Sequence, residues 1–372
     1  MIVGVPKERK TLEKRIALTP DGAHELVNRG HKVLIEANAG AGSFFDDQQY
    51  ISAGAEIVPT LKDVWTKSEL VVKVKEPHES EYEFFRPGLC LFDYLHLASM
   101  PDVTEAMLKG KVSGIAYELV ASPDGRLPLL EPMSEVAGKL SILNGSYFLL
   151  SQKGGRGLLL GGVVGVPPAD VVIVGAGIAG RNACEVALGM GAAVTVLDIS
   201  HEKLDRIHHQ FGSAVRTVYS SSEALAREVT RADLLVGAVL RPGAAAPKVI
   251  TRKMVQSMKR GAVFVDISID QGGCAETIKP TSLDNPVYET EGVIHYGVCN
   301  MPAQTPRTST MALTAATLPY ILEIADKGFK GVMQQSPALR NALNTHMGYL
   351  TNRAVAEAVN IKPTSIEQAL NA

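Results

Sequence analysis

Val171-Val172-Ile173-Val174 runs straight into Gly175-Ala176-Gly177-Ile178-Ala179-Gly180, and no other feature of the chain limits its fold so strongly. A glycine pattern alone carries little weight. This one follows a short β-branched run and opens a helical pattern that lasts to Gly189 or Gly191. A second run, Ala193 to Leu197, then stops at Asp198. Strand, glycine turn, helix and returning strand make a βαβ unit of the Rossmann type, which binds dinucleotides. Gly175 permits the tight turn, Gly177 lets a pyrophosphate approach the backbone, and Gly180 lets helix and strand pack closely. The phosphates then face the positive end of the helix, beside Ile178. Asp198 stands 18 residues after Gly180, where a carboxylate accepts hydrogen bonds from ribose hydroxyls. It repels a 2′-phosphate, so NAD is favoured over NADP; Lys203 and Arg206 nearby soften that preference.

The rest of the chain agrees with an α/β protein. Its 372 residues are 46% hydrophobic and 20% charged with a net charge of −2, which excludes disorder and gives no sign of nucleic-acid or anionic-membrane binding. That length suits two domains. Charge appears too early at the N-terminus for a signal peptide, and prolines and glycines interrupt the most apolar stretch, Leu158 to Gly180, so no membrane span is expected. Cys90, Cys184, Cys274 and Cys299 form no CxxC pair, which argues against a disulfide framework or a zinc site. A cytoplasmic protein follows as the expectation.

Short apolar runs alternate with helical patterns along the chain. Ile2–Val5, His31–Glu36, Glu69–Lys75, Leu89–Leu95 and Val112–Tyr117 read as strands of a first lobe, with a helix capped by Thr19. Thr60 with Asp63 resembles a capping box. Residues 134–152 form a linking helical pattern, and strand–helix alternation runs from Asp170 to about Tyr296. Beyond Ser309 the pattern is helical to the C-terminus, including 311–327 and 349–359, and these helices have no sheet of their own. The expected architecture is two α/β domains, the second containing the Rossmann-type unit. Residues 1–130 and 306–372 make a discontinuous substrate domain, and 131–305 make the NAD-binding domain.

Several residues outside the glycine turn are candidates for chemistry. Lys73 and Lys75 alternate with valines, so both point to one strand face, either a solvated edge or a functional one. Arg15 precedes a capped helix; it is a carboxylate clamp or a surface arginine. His96 ends an apolar strand and is either a core residue or a general acid/base. Asp270 precedes Gly272-Gly273, as a turn aspartate or a carboxylate beside the nicotinamide. Ser220 and Val239-Leu240 follow further strands, at the carboxyl ends where α/β sheets bind ligands.

These pieces together resemble the alanine dehydrogenase/transhydrogenase N-terminal superfamily over essentially the whole chain. The matching segments are Gly4-Val5-Pro6-Lys7-Glu8, Arg15 to Pro20, Val74-Lys75-Glu76-Pro77, Tyr94 to Ala98, Pro132 to Gly138, the glycine turn, Asp270 to Cys274, and Asn300-Met301-Pro302 followed by Arg307-Thr308-Ser309-Thr310. The resemblance implies an α/β fold of two Rossmann-like, doubly wound domains with a cleft between them, and reversible conversion of L-alanine, NAD and water to pyruvate, ammonia and NADH, in a homohexamer. It implies that Arg15 and Lys75 hold substrate, that His96 moves protons, and that Asp270 assists at the imine and carbinolamine steps. It implies cofactor contacts from Ser134, the turn residues with Ile178, Asp198, Lys203, Ser220, Val239, Leu240, Ile267 to Asp270, and Val298 to Met301, Asn300 among them. Some members carry a metal pair on the helix after Thr310; here Glu323 is followed by Lys327, so no metal is expected. Lys279 stands where relatives often have Arg. The alternatives are the NAD(H)-binding subunit of a proton-translocating transhydrogenase, where Gln is typical in place of Met133, and an NAD sensor without catalysis. Reductive amination of another 2-oxo acid is a further alternative.

Overall fold

The computed structural model describes residues 1–239 and 245–371. In chain order its strands begin with β1 (Ile2–Val5), β2 (Lys32–Glu36), β3 (Glu56–Val58), β4 (Leu70–Lys75), β5 (Cys90–Tyr94) and β6 (Ser113–Ala116). There follow β7 (Asp170–Val174), β8 (Ala193–Asp198), β9 (Val215–Tyr219), β10 (Leu234–Gly237), β11 (Val263–Asp266), β12 (Val287–Thr290) and β13 (Val293–Tyr296). Last come β14 (Leu343–His346) and β15 (Tyr349–Leu350). The chain divides into two compact units, Met1–Met133 with Thr305–Ala372, and Ser134–Gln304. The helix Glu131–Phe148 carries the chain from one into the other.

The first unit is built on an eight-stranded sheet of order β15-β14-β6-β5-β4-β1-β2-β3. From β6 to β3 it is parallel, and its β-branched strands are buried, as a sheet covered on both faces requires. Thr19 caps the helix Pro20–Asn28 by accepting the Gly22 N–H, and Gly30 turns the chain at φ 82°. Thr60 caps the helix Leu61–Lys67 by accepting the Asp63 N–H, and the Asp63 carboxylate takes the Thr60 hydroxyl instead of its N–H, so the reciprocal capping box is not formed.

The C-terminal segment departs from the all-helical expectation. The long helix Pro306–Gln335 is broken at Gly328, and β14 and β15 then form a hairpin that pairs antiparallel with β6. Met347 and Gly348 both have positive φ, the two-residue turn that matches strand twist. Glu291 and Gly292 do the same between β12 and β13. The returning segment therefore shares the first unit's sheet instead of only covering it.

The second unit is a seven-stranded sheet of order β12-β13-β11-β10-β7-β8-β9, parallel except for β12. The strand order reverses between β7 and β10. Its core joins Val172, Val174, Leu235, Phe264 and Ile269 with helix residues such as Leu225 and Val229. No helix among the described residues is long and apolar enough to cross a membrane.

Candidate active site and dinucleotide cradle

In the second unit the cofactor candidates gather along one sheet edge, because parallel strands end on the same side. Gly175 to Gly180 follow β7, Asp198 ends β8, Ser220 follows β9, and Val239 follows β10. Ile267 to Asp270 follow β11, and Val298 to Met301 follow β13. This edge, at the point where strand order reverses, is where open α/β sheets bind ligands. Leu240 lies outside the described residues.

The glycine turn fits a dinucleotide. Gly175 has φ 112°, and a Cβ there would stand 2.3 Å from the Ala238 carbonyl. A Cβ at Gly180 would stand 1.8 Å from the Gly175 carbonyl, so only glycine packs there. At Gly177 a Cβ would meet nothing within 4 Å, which leaves open space in front of the helix N-terminus. Gly177 is the N-cap and supplies no side chain to the first amides of the helix Ile178–Gly189. Asp198 is buried, and its carboxylate accepts the Ala176 N–H at 2.7 Å and the Ser200 N–H at 2.8 Å. It thus ties the glycine turn to the end of β8, with lone pairs left for hydroxyl donors. Ser220 donates its N–H to the Asp198 carbonyl. Lys203 lies in the capped first turn of its helix, and Arg206 is paired with Glu202. Lys279 lies over the Tyr288 ring at 4.4 Å.

Asp270 is exposed in a short 3-10 turn, Ile267–Gln271, and its carboxylate accepts the Asn300 N–H at 3.1 Å. Sequence reasoning missed what holds that turn. Asp266 is fully buried and accepts the N–H groups of Ser268 and Cys274 at 2.9 and 2.7 Å. Burial nevertheless pushes its carboxyl above the usual range, those backbone bonds opposing. Ser268 in turn accepts the Val239 N–H at 3.0 Å. The loops after β10 and β11 are therefore braced together.

In the first unit, Lys75 and Tyr94 are register partners at the carboxyl ends of β4 and β5, and His96 follows. His96 sits in the left-handed region at φ 48°, with its side chain 38% exposed. Its N–H donates to Glu118 at 2.7 Å, its Nδ1 lies 3.7 Å from the same carboxylate oxygen, and its ring stacks on Tyr94. The Tyr94 hydroxyl donates to the Leu129 carbonyl. The Glu118 contact carries no signal in the sequence, since it depends on the pairing of β5 with β6.

Two readings need correction. Arg15 is not a surface residue: it is 2% exposed, paired bidentately with Glu13 at 2.7 and 2.5 Å, with Nη1 3.1 Å from Met133 Sδ. Lys73 is not on an edge strand. β4 is interior to its sheet, and a register shift between Val72 and Lys75 adds a residue that breaks the simple alternation. Lys73 is buried between Glu8 at 3.3 Å and Glu81 at 3.1 Å. Burial works against the ammonium, but Glu8 and Glu81 more than offset it and hold its pKa above the ordinary lysine value.

Asp93 is buried beside this cluster, and neither oxygen has a hydrogen-bond donor among the described residues. Burial pushes its carboxyl well above the usual range, Lys73 opposing. Between the ordinary and the raised pKa the unfolded chain has lost this proton and the folded chain keeps it. Stability therefore falls as pH rises through that window. The stability of Asp93→Asn relative to the parent is expected to increase between about pH 5 and pH 8. Urea unfolding at both pH values checks this; a constant difference would show that Asp93 is ionised throughout.

Glu323 pairs with Lys327 at 2.9 Å and accepts from Ser336 at 3.2 Å.

A glycine-turn sheet for a dinucleotide, with a second α/β unit bearing a buried arginine, a lysine and a histidine, defines the class of two-unit nucleotide-dependent enzymes. The chain belongs to the alanine dehydrogenase/PNT family: the N-terminal domain model matches residues 4–137 and the C-terminal domain model residues 141–353. It is 53% identical to an alanine dehydrogenase of Methanococcus maripaludis over 372 residues, all of both chains. A solved L-alanine dehydrogenase superposes with a TM-score of 0.94 at 47% identity, covering 97% of this chain and 99% of that one. A transhydrogenase from Sinorhizobium meliloti, 23% identical with a TM-score of 0.81 over 95% of this chain and 100% of that one, shares the fold.

Proposed function

We propose that the chain catalyses the reversible NAD-dependent oxidative deamination of L-alanine to pyruvate and ammonia. One observation carries the reading: an ammonium group and an imidazole share one sheet edge, through Lys75 and Tyr94 in register and His96 just beyond. Arg15 and Lys75 hold the carboxylate and the carbonyl oxygen of the substrate, as charge-assisted hydrogen bonds favour. NAD, when bound, accepts the hydride from Cα. His96 takes up and returns the protons that move as water adds to the imine and ammonia leaves. Asp270 assists at the imine and carbinolamine stages. Ser134, Gly175, Gly177, Ile178, Gly180, Asp198, Lys203, Ser220, Val239, Ile267, Val298, Asn300 and Met301 hold the dinucleotide. A cytoplasmic homohexamer belongs to the same reading and rests on the family alone.

The test is NADH formation with alanine, serine and glycine, each with NAD and with NADP. Turnover is expected with alanine and NAD; NADH binding without turnover of any amino acid would sink the reading. Asp198→Ala is expected to weaken NAD binding about tenfold and to narrow the preference over NADP, measured by fluorescence titration. An unchanged preference would remove Asp198 from the ribose site.

A further inference from the structure

The motif Arg307-Thr308-Ser309-Thr310 has no part in the chemistry above, yet Thr310 bonds the backbone on one side of Arg15 and contacts Ser43, which bonds the other. Residues 13–18 are buried apart from Lys14 and form no strand or helix, so no ladder fixes them. Their polar groups must find partners elsewhere. The Thr310 hydroxyl accepts the Ile16 N–H at 3.1 Å and lies 2.9 Å from Ser43 Oγ. Ser43 Oγ donates to the Lys14 carbonyl at 2.9 Å, so Thr310 must donate to Ser43. Both residues are fully buried. One turn on, Thr314 donates to the Ala17 carbonyl at 3.4 Å. Arg307 grips the loop that carries Ser43, donating to the carbonyls of Ser43 and Phe44 and lying over the Phe45 ring at 4.6 Å. A Cβ at Gly42 would stand 2.8 Å from Lys14, so this loop is pressed against the arginine's segment.

We propose that Thr310 and Ser43 are positioning residues that clamp the backbone on both sides of Arg15 and so set the affinity for the substrate carboxylate. This rests on the reading of Arg15 as a substrate ligand. The helix that returns from the end of the chain would then be part of how substrate is held. A misplaced cation loses binding to a carboxylate present in both substrate and transition state, so the effect falls on KM and spares kcat.

The experiment compares Thr310→Val, Thr310→Ser, Ser43→Ala and Arg15→Gln in pyruvate reduction with ammonia and NADH. Thr310→Val is expected to raise KM for pyruvate about tenfold, with kcat within about threefold and NADH affinity unchanged. Thr310→Ser keeps the hydroxyl and should restore KM. If Thr310→Val does not fold, Ser43→Ala carries the test, with a smaller rise in KM. Wild-type KM in the Thr310→Val and Ser43→Ala proteins, with KM raised by Arg15→Gln, would overturn the clamp alone. A KM unmoved by Arg15→Gln would overturn the underlying reading and the clamp with it.

Discussion

Replacing His96 by alanine is expected to lower turnover by about two to four orders of magnitude, the usual contribution of a positioned acid/base. NADH affinity should stay near the parent value, because the glycine turn and Asp198 belong to the other compact unit. His96 occupies the left-handed region, where alanine carries strain, so an asparagine variant, better tolerated there, is the companion. Both variants should bind NADH by fluorescence titration and both should fail in steady-state assays. Near-native turnover in either would remove His96 from the proton-transfer role. Loss of turnover together with loss of NADH binding would instead indicate a general structural defect.

The second large effect concerns stability. Lys73 is 1% exposed and is the cation that faces Glu8, Glu81 and Asp93. Lys73→Met keeps the length of the side chain but leaves buried carboxyl groups without a counter-charge. Breaking a buried ion pair from one side costs about 3–5 kcal/mol, which is a large part of a domain's stability. The deficit should shrink as pH falls, since neutral carboxylic acids need no cation, and burial already biases Glu8 and Asp93 toward the protonated form. Chemical unfolding of parent and variant at neutral and acidic pH measures this. A cost below about 1 kcal/mol at neutral pH, typical of an exposed pair, would contradict the cage.

The parts of this protein that could be read along the chain depend on neighbours in sequence. The glycine turn, the helix it opens and Asp198 at the next strand end lie within one βαβ unit, and each residue's role there follows from local backbone geometry. The helix start at Thr19 is readable for the same reason, since a cap acts within three residues. Lys75 and His96 could be picked out as polar residues at strand ends. Their common sheet edge could not, because it needs the register of β4 against β5.

What escaped the linear reading involves partners far apart in the chain. Glu8 and Lys73 are 65 residues apart, and Arg15 owes its fixed surroundings to a hydroxyl 294 residues from its neighbour Ile16. An alternating lysine looks the same on an edge strand and in an interior one; only the order of strands tells them apart. The segment 343–350 looked helical from its apolar spacing, but an open edge at β6 offered it backbone hydrogen bonds, and Met347-Gly348 could take the positive φ that a tight hairpin needs. Local chemistry thus marked the glycine turn with its open helix N-terminus and the polar residues at the strand ends. Their burial, charge balance and mutual placement arose only when sheet pairing brought distant segments together, because desolvation and Coulomb energy depend on distance in space and are blind to distance along the chain.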